Sequence, residues 1–167
     1  RRAALLEVGG YRDMGWPEDY DLVLRLWSAG HRLANVPDVL LHWREGETRA
    51  SRTDPRYSPD AFRRCKVHHL RRTHLVGKDG VVVWGAGPVG KAFARELIAQ
   101  RETLRAFVDL DPRKIGQTIH GAPVVAPEGL GAFVGAFVVA AVGQEGAREE
   151  IRSALEGMGW RDWCAVA

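Results

Sequence analysis

The stretch that decides the fold runs Val81-Val82-Val83-Trp84-Gly85-Ala86-Gly87-Pro88-Val89-Gly90. Four consecutive apolar residues are typical of a strand that is covered on both faces of a parallel sheet. The glycines that follow fit the spacing G-x-G-x-x-G, which suits a tight turn, a close approach of the backbone to a phosphate, and close packing of helix on strand. The stretch therefore predicts an α/β unit with an anion-binding turn at the start of a helix.

The residues that follow extend this unit to the end of the chain. After a helix that reaches about Gln100, we expect strands at 104–109, 123–126, 136–142 and 163–166 and a second helix at 147–158. This alternation predicts a small doubly wound parallel sheet over residues 80–167. Asp109 ends the second strand, 19 residues after Gly90, near the spacing of an acid that binds a ribose. The alternative is that the glycines serve packing alone, since Pro88 removes one N–H donor.

The first half of the chain has a different pattern. A loop rich in Gly and Pro, residues 8–17, precedes a helix predicted from Glu18 to Ala29, with acidic residues in the first turn and Gly30 as its C-terminal cap. Strand-like runs at 31–36 and 39–43, an irregular polar loop at 44–55 and a basic helix at 59–75 complete this half. Ser58 and Pro59 are typical of the start of that helix. Residues 77–80 form the predicted linker.

An acidic pair stands at the head of the first predicted helix. Glu18 and Asp19 directly follow the Gly/Pro loop, and an ionised carboxylate that faces a cleft can act as general base toward a sugar hydroxyl. The alternative is purely structural, because acidic residues cap helices and Asp21 with Arg25 forms an i, i+4 pair. The residues alone leave both interpretations open.

Several spaced elements of this half resemble a known enzyme family. The run Val8-Gly9-Gly10-Tyr11, then Glu18-Asp19-Tyr20-Asp21-Leu22, Arg25-Leu26 and Gly30 resembles the acceptor-side half of family 2 glycosyltransferases, which have the GT-A fold. The resemblance implies that residues 1–76 are the C-terminal portion of such a domain. It also implies that Asp19 is the base that activates the acceptor hydroxyl and that Glu18 shapes the acceptor pocket.

The same resemblance implies partners and a cofactor. The donor would be a nucleotide-sugar and the acceptor a sugar or a lipid-linked glycan in polysaccharide biosynthesis. The Asp-x-Asp motif that holds a divalent metal, Mg or Mn, should lie upstream of Arg1, so we expect the chain by itself to be inactive in sugar transfer. His42-Trp43-Arg44 with Arg49 resembles the loop that closes over the nucleotide diphosphate.

Four further assignments each have a structural alternative. Arg44 and Arg49 either pair with diphosphate oxygens or lie in a solvated loop. His42 either helps to hold the metal or is a partly buried strand histidine. Trp16 either stacks on a sugar or packs in the core.

The second half resembles another kind of domain. The segments Gly85 to Gly90, Phe107 to Gly116 and Ile119-His120-Gly121 resemble the Rossmann-like domains of bacterial polysaccharide-biosynthesis and nucleotide-sugar proteins. The resemblance implies that NAD(P) or a nucleotide-sugar binds at Gly85, Gly87, Gly90 and Asp109. Val142-Gly143-Gln144 would then lie at the same sheet edge. A nucleotide-binding module without catalysis of its own is therefore the alternative function.

Composition and charge narrow the class of protein. The chain has 167 residues and a net charge of +3, unevenly divided, because residues 1–78 carry 15 Lys and Arg against 10 Asp and Glu, whereas residues 79–167 carry 9 against 11. The basic helix lacks interleaved aromatic residues, which argues against nucleic acid and leaves open a peripheral contact with anionic lipid. No apolar run is long enough to span a membrane. The two cysteines have neither the spacing of a disulfide pair nor that of a metal site, so we expect a cytoplasmic protein. If the basic helix binds lipid, the protein would act at the inner face of the membrane.

Overall fold

The chain divides into two compact units. The computed structural model describes residues 1–42, 46 and 48–166, and the units are Arg1–His69 and Leu70–Ala167. The division falls before the predicted linker at 77–80. The second unit begins earlier because Arg71 Nε donates a hydrogen bond to Glu102 Oε1 at 2.6 Å and the His74 ring stacks on Phe137.

The second unit is built on one six-stranded sheet. Its strands are β1 (Val81–Trp84), β2 (Leu104–Val108), β3 (Thr118–Ile119), β4 (Ala122–Val125), β5 (Phe137–Ala140) and β6 (Trp163–Ala165). They lie in the order β3-β4-β2-β1-β5-β6, and every neighbouring pair is parallel except β3 with β4. The chain thus winds outward from β1 in both directions, which confirms the predicted doubly wound α/β sheet.

Helices cover both faces of this sheet. They are α5 (Pro88–Ala99) and α6 (Ala147–Gly157), with a 3₁₀ helix at Pro127–Phe133. Val82 and Trp84 pack in one buried cluster with Leu155 of α6, whereas Val83 contacts the first turn of α5 near Gly90. Because successive strand residues point to opposite faces and both faces are covered, β1 needs apolar residues at every position.

The first unit is helical in its described part. It contains α1 (Arg2–Glu7), α2 (Glu18–Ser28), α3 (Ala50–Thr53), a 3₁₀ turn (Pro55–Tyr57) and most of α4 (Pro59–Arg72). The predicted helix at residue 18 is confirmed, and Gly30 follows it with a φ of +82°. The predicted start of α4 is also confirmed, because the Ala61 N–H donates to Ser58 Oγ at 3.2 Å.

The two strand-like runs of the first half were predicted wrongly. Residues 31–36 and 39–42 are not in strands, and Val36, Val39, Leu40 and Leu41 are exposed. A strand requires a hydrogen-bonded neighbour, and within the described residues no strand pairs with this segment. An apolar pattern indicates that a segment prefers to be buried, but it does not show that a neighbouring strand is present to pair with it.

Five shorter elements were not predicted. They are α1, α3, β3 and the two 3₁₀ helices; α3 occupies part of the segment expected to be an irregular loop, and β3 adds an antiparallel edge to the sheet. All five are too short for a periodic pattern to reveal. Among the helices that the structure describes, none has the length and apolar character needed to cross a bilayer.

Candidate functional site

The glycine turn between β1 and α5 is tightly enclosed. Gly85 has a φ of +116°, and a Cβ placed on it would lie 2.8 Å from Val142 Cγ2 and 2.9 Å from the Ala141 carbonyl oxygen. A Cβ on Gly90 would lie 1.7 Å from the Gly85 carbonyl oxygen. These two glycines are therefore required by the packing of the turn, the helix and the loop that follows β5.

The middle glycine of the motif is different. Gly87 is the N-cap residue of α5, and a Cβ placed on it would meet no atom within 4 Å. The first N–H groups of a helix have no acceptor within the helix, and Pro88 contributes none of them. The open space at Gly87 and the N–H groups of the following turn form the surroundings that a phosphate needs.

A cavity of about 390 Å³ opens beside this turn. It lies at the carboxyl ends of β1, β2 and β5, where the strand order reverses, and its volume falls within the range of small-molecule sites. Its polar and charged lining side chains are Asp109, Lys114, Gln144 and Glu150. A second cavity of about 240 Å³ shares Val142, Gly143 and Gln144 with it. The prediction that these three residues lie at the edge of the glycine turn is confirmed.

Asp109 connects the glycine turn to the loop after β2. Its Oδ2 accepts hydrogen bonds from the Ala86 N–H at 2.8 Å and from Lys114 Nζ at 3.0 Å, and its Oδ1 accepts from the Asp111 N–H at 2.9 Å. Burial acts to raise the pKa of Asp109, but these three donors outweigh it and hold the pKa below its ordinary value. The carboxylate therefore stays ionised at the mouth of the cavity.

The acidic pair of the first unit lies at the head of α2. Asp19 is exposed, and its Oδ1 accepts a hydrogen bond from the Tyr20 N–H at 2.7 Å. Glu18 is half-buried, and its Oε1 accepts from the Tyr57 hydroxyl at 2.7 Å. That hydrogen bond, with partial burial, raises the pKa of Tyr57 to about 12. Only Asp19 of the pair is thus freely accessible at the surface, and its role as a base stays a prediction.

A buried network behind the acidic pair holds α2 in place. Asp21 is buried and accepts hydrogen bonds from Arg25 Nε at 2.7 Å, His69 Nε2 at 2.9 Å and Trp16 Nε1 at 3.3 Å. Arg25 also donates to the carbonyl oxygens of Val8 and, at 2.7 Å, Gly10. The network therefore ties α2 to the loop that precedes it and to α4.

The pKa of Asp21 follows from this network. Burial acts to raise it, whereas the hydrogen bonds from His69 and Arg25 lower it, and the result lies below the ordinary value. The i, i+4 pair of Asp21 with Arg25 that the sequence indicated is thus present and buried.

The structure places the remaining predicted site residues as follows. Trp16 is 9% exposed and packs with Ala61 and Cys65, which favours the core alternative over stacking on a sugar. His42 is exposed and outside any strand, contrary to the alternative of a partly buried strand histidine. Arg49 is partly buried at the start of α3. Arg44 lies outside the described residues.

One group of side chains in the described part of the chain has the types and spacing of metal ligands. Ligand atoms of Asp21, Cys65 and His69 all lie within 4.8 Å of one another. A cation there would compete with the Arg25 guanidinium for Asp21. Burial and the nearby Asp21 charge raise the pKa of the Cys65 thiol to about 12, which disfavours the thiolate that binds metals. These residues do not fit the divalent metal of a glycosyltransferase, and His42 is not among them.

Comparison with curated proteins gives one short similarity. The amylovoran biosynthesis glycosyltransferase AmsE of Erwinia amylovora is 44% identical to this chain over 46 residues. That match covers 28% of this chain and 17% of the glycosyltransferase. No family model matches the chain.

Comparison with solved structures returns distant likenesses. RSP, a Rex-family repressor, aligns with a TM-score of 0.49 and 17% sequence identity, and the alignment covers 60% of this chain and 50% of the repressor. The structure of RSP with β-NADH aligns with a TM-score of 0.47 and 18% identity, and covers 60% of this chain and 51% of the repressor. UDP-D-quinovosamine 4-dehydrogenase from Vibrio fischeri aligns with a TM-score of 0.46 and 19% sequence identity, and the alignment covers 54% of this chain and 79% of the dehydrogenase. At these scores the likenesses carry no argument about function.

Three residues of these sites were not singled out from the sequence. Lys114 reaches Asp109 because a turn brings its backbone N–H to within 2.9 Å of the Asp111 carbonyl oxygen. Its separation of five residues from Asp109 could have signalled this contact. Tyr57 and His69 lie 39 and 48 residues from their carboxylate partners. No local pattern signals contacts of that range.

Proposed function

We propose that the second unit binds a nucleotide in the cavity beside the glycine turn. The observation that carries this proposal is the 2.8 Å hydrogen bond from the Ala86 N–H to Asp109 Oδ2. It joins the glycine turn to the acid that ends β2, so that a phosphate-binding helix start and a ribose-binding acid border one cavity. NAD(P) and nucleotide-sugars, the two ligand classes that the sequence analysis indicates, contain both groups.

The cavity offers a place for each part of such a ligand. A diphosphate would lie at Gly87 and the N-terminus of α5, where no side chain intervenes. The ribose would lie against Asp109, and the base against the apolar side chains of Leu110 and Pro127. No catalytic residue is needed for this function, which is binding alone.

Calorimetric titration of the 167-residue chain tests this proposal. NAD⁺, NADP⁺ and UDP-glucose are each titrated to millimolar concentration, and at least one should give saturable heat. A parallel thermal-shift measurement should show a higher melting temperature with the same ligand, because a ligand that binds only the folded state stabilises it. If none of the three gives heat or a shift, the unit is a scaffold and the proposal is wrong.

A second function, for the first unit, is supported by the helix-head geometry and by the similarity of 46 residues of this chain to AmsE. We propose that residues 1–76 are the C-terminal portion of a family 2 glycosyltransferase domain of the GT-A type. Such an enzyme transfers a sugar from a nucleotide-sugar to an acceptor hydroxyl in polysaccharide biosynthesis, at the cytoplasmic face of the membrane. The Asp-x-Asp ligands of its divalent metal would lie outside the described residues, and a metal-binding role of His42 stays a prediction.

In this proposal the residues of the helix head have separate roles. Asp19, exposed at the first turn of α2, takes the proton of the acceptor hydroxyl as that oxygen attacks the sugar. Glu18 is held by Tyr57 and shapes the acceptor pocket.

Sugar transfer by the protein that contains this chain tests the assignment. Asp19→Asn keeps the size of the side chain and removes its basicity, so kcat should fall by about 10² or more while the affinity for the nucleotide-sugar is unchanged. Asp38→Asn, at another exposed aspartate of the same unit, is the matched control and should leave kcat unchanged. Equal turnover of the Asp19 variant and the control would reject Asp19 as the base.

A further inference from the structure

We infer that Glu150 makes the larger cavity select guanine nucleotides, so that GDP and GDP-sugars bind more tightly than their adenine and uracil counterparts. This inference rests on nucleotide binding by the second unit, as proposed above, and names the base that the unit recognises. It concerns the part of the cavity that is lined by helix α6.

One face of α6 lines the cavity. The spacing of three and four residues along the helix places on this face Ala147, Glu150, Ile151 and Ala154. Three of the four are apolar, and Ala147 and Ile151 are buried. The face therefore offers apolar contact to the ring of a base and a single carboxylate to its polar edge.

Apolar side chains from other elements complete the surroundings of a base. Leu110 and Pro127 line the same cavity, and Leu110 is 68% exposed, so that a base placed against it would cover an apolar side chain. Leu130 of the 3₁₀ helix that begins at Pro127 belongs to one buried cluster with Ile151. The 3₁₀ helix and α6 thus lie on the same face of the sheet, and a base against Pro127 lies on the side where Glu150 is.

The polar side chains of the cavity differ in how far they are already engaged. Asp109 and Lys114 bond to each other. Within the described part of the chain, the side chains of Gln144 and Glu150 make no hydrogen bond or ion pair. The Gln144 amide can both donate and accept and so suits any base, whereas an ionised glutamate only accepts. Glu150 is therefore the group that discriminates between bases.

The edge of guanine matches a carboxylate better than the edge of adenine or uracil does. Guanine carries two donors side by side, the ring N1–H and the 2-amino group, which can pair with both oxygens of Glu150 through charge-assisted hydrogen bonds. Adenine offers its 6-amino group beside a ring nitrogen that is an acceptor. The single N–H of the uracil edge lies between two carbonyl oxygens, which repel a carboxylate.

The position of Glu150 is compatible with a diphosphate in the same cavity. Val83 contacts the first turn of α5 near Gly90, whereas Trp84 packs with α6, so the two helices cover opposite faces of the sheet. The diphosphate is proposed to lie at the start of α5, and Glu150 is exposed on α6. Solvent therefore screens the repulsion between the two negative groups.

Calorimetric titration of the 167-residue chain with GDP, IDP, ADP and UDP tests the inference. The Kd should be lowest for GDP, by about tenfold or more relative to UDP. IDP lacks only the 2-amino group of GDP, and the loss of one hydrogen bond to Glu150 should raise its Kd by about threefold or more. Glu150→Ala should bring both ratios close to one.

Glu156→Ala is the matched control, since it removes an exposed carboxylate of the same helix that does not line the cavity. It should leave both ratios unchanged. Binding of GDP no tighter than that of UDP or IDP, or an undiminished preference in Glu150→Ala, would overturn the inference while nucleotide binding itself stands. If no nucleoside diphosphate binds although NAD⁺, NADP⁺ or UDP-glucose does, the inference fails alone. If none of these ligands binds, the proposed function fails with it.

Discussion

Gly90 and Gly85 lie so close together that a single methyl group on Gly90 would stand 1.7 Å from the Gly85 carbonyl oxygen. This distance is far shorter than any non-bonded contact, so no rotation of a side chain can relieve it. The helix start and the turn after β1 are thus in direct backbone contact, and that contact positions the N-terminus of α5 beside the cavity.

Gly90→Ala should therefore destabilise the chain by about 3 kcal/mol or more, because the helix must move away from the strand. The free energy of unfolding in urea measures this change. Gly157→Ala is the matched control, since Gly157 is exposed near the end of α6 and a Cβ there meets no atom within 4 Å. Equal stability of Gly90→Ala and Gly157→Ala would show that the described packing of the turn is wrong.

Gly87→Ala should weaken nucleotide binding and leave the stability of the chain nearly unchanged. Its backbone φ of −83° is ordinary for alanine and the space around it is open, so the free energy of unfolding should change by less than about 1 kcal/mol. The added methyl group would occupy the space next to the helix N-terminus where a phosphate is proposed to lie. Calorimetry should show at least a tenfold loss of nucleotide affinity, and unaltered affinity would place the phosphate elsewhere.

Asp21 should make the stability of the chain depend on pH in the acid range. The hydrogen bonds from His69 and Arg25 hold its pKa in the folded state below the value of about 3.9 that it has in the unfolded chain. The unfolded state therefore takes up the proton first, and the contribution of Asp21 is complete above about pH 4 and is lost as the pH falls through its folded pKa. Urea unfolding at several pH values between 7 and 2.5 measures this loss.

Asp21→Asn isolates the contribution of this side chain. It leaves the partly buried Arg25 without its counter-charge, so we expect a loss of about 3 kcal/mol at pH 7 and a flatter acid profile than the wild type. Asp38→Asn, at an exposed position, should reproduce the wild-type profile. If Asp21→Asn and the wild type lose stability in parallel below pH 4, Asp21 is not a source of the acid dependence.

The two cysteines should differ in reactivity. Cys65 is fully buried, and burial, with the nearby Asp21 carboxylate, raises its pKa to about 12, so its reactive thiolate is scarce at pH 8. Cys164 is only half-buried in β6. Ellman's reagent at pH 8 should therefore modify one thiol of the native chain much faster than the other.

Cys164→Ser should abolish the fast phase, and unfolding in urea should expose Cys65 to the reagent. Two equally fast thiols in the native wild-type chain would contradict the burial of Cys65. The matched variant Cys65→Ser should retain the fast phase, provided that it remains folded by circular dichroism.

Much of the second unit could be predicted because its signals are local. The continuous apolar run of β1 and the glycine spacing after it lie within ten residues. Backbone sterics and the need to cover both faces of a strand act at that range. The same holds for the start of α4, where Ser58 and Pro59 act on the turn that directly follows.

The strand predictions at 31–36 and 39–43, of which residue 43 lies outside the described residues, failed for the opposite reason. Strand formation depends on a neighbour that is distant in the chain, and an apolar pattern carries no information about whether that neighbour is present. Val39 and Leu40 are apolar residues of the kind found in strands, but they are exposed and are not part of a strand.

By itself the sequence determined the strand, turn and helix at the start of the second unit and the acidic first turn of α2, since steric and dipole effects act between near neighbours. Only the tertiary structure decided which donors reach each carboxylate. It brings Ala86 and Lys114 to Asp109, Tyr57 to Glu18, and His69 to Asp21. Except for Lys114, these partners lie more than 20 residues apart in the chain. Hydrogen bonds over such separations form only when packing has placed the elements side by side, and no pattern in a linear sequence specifies that placement.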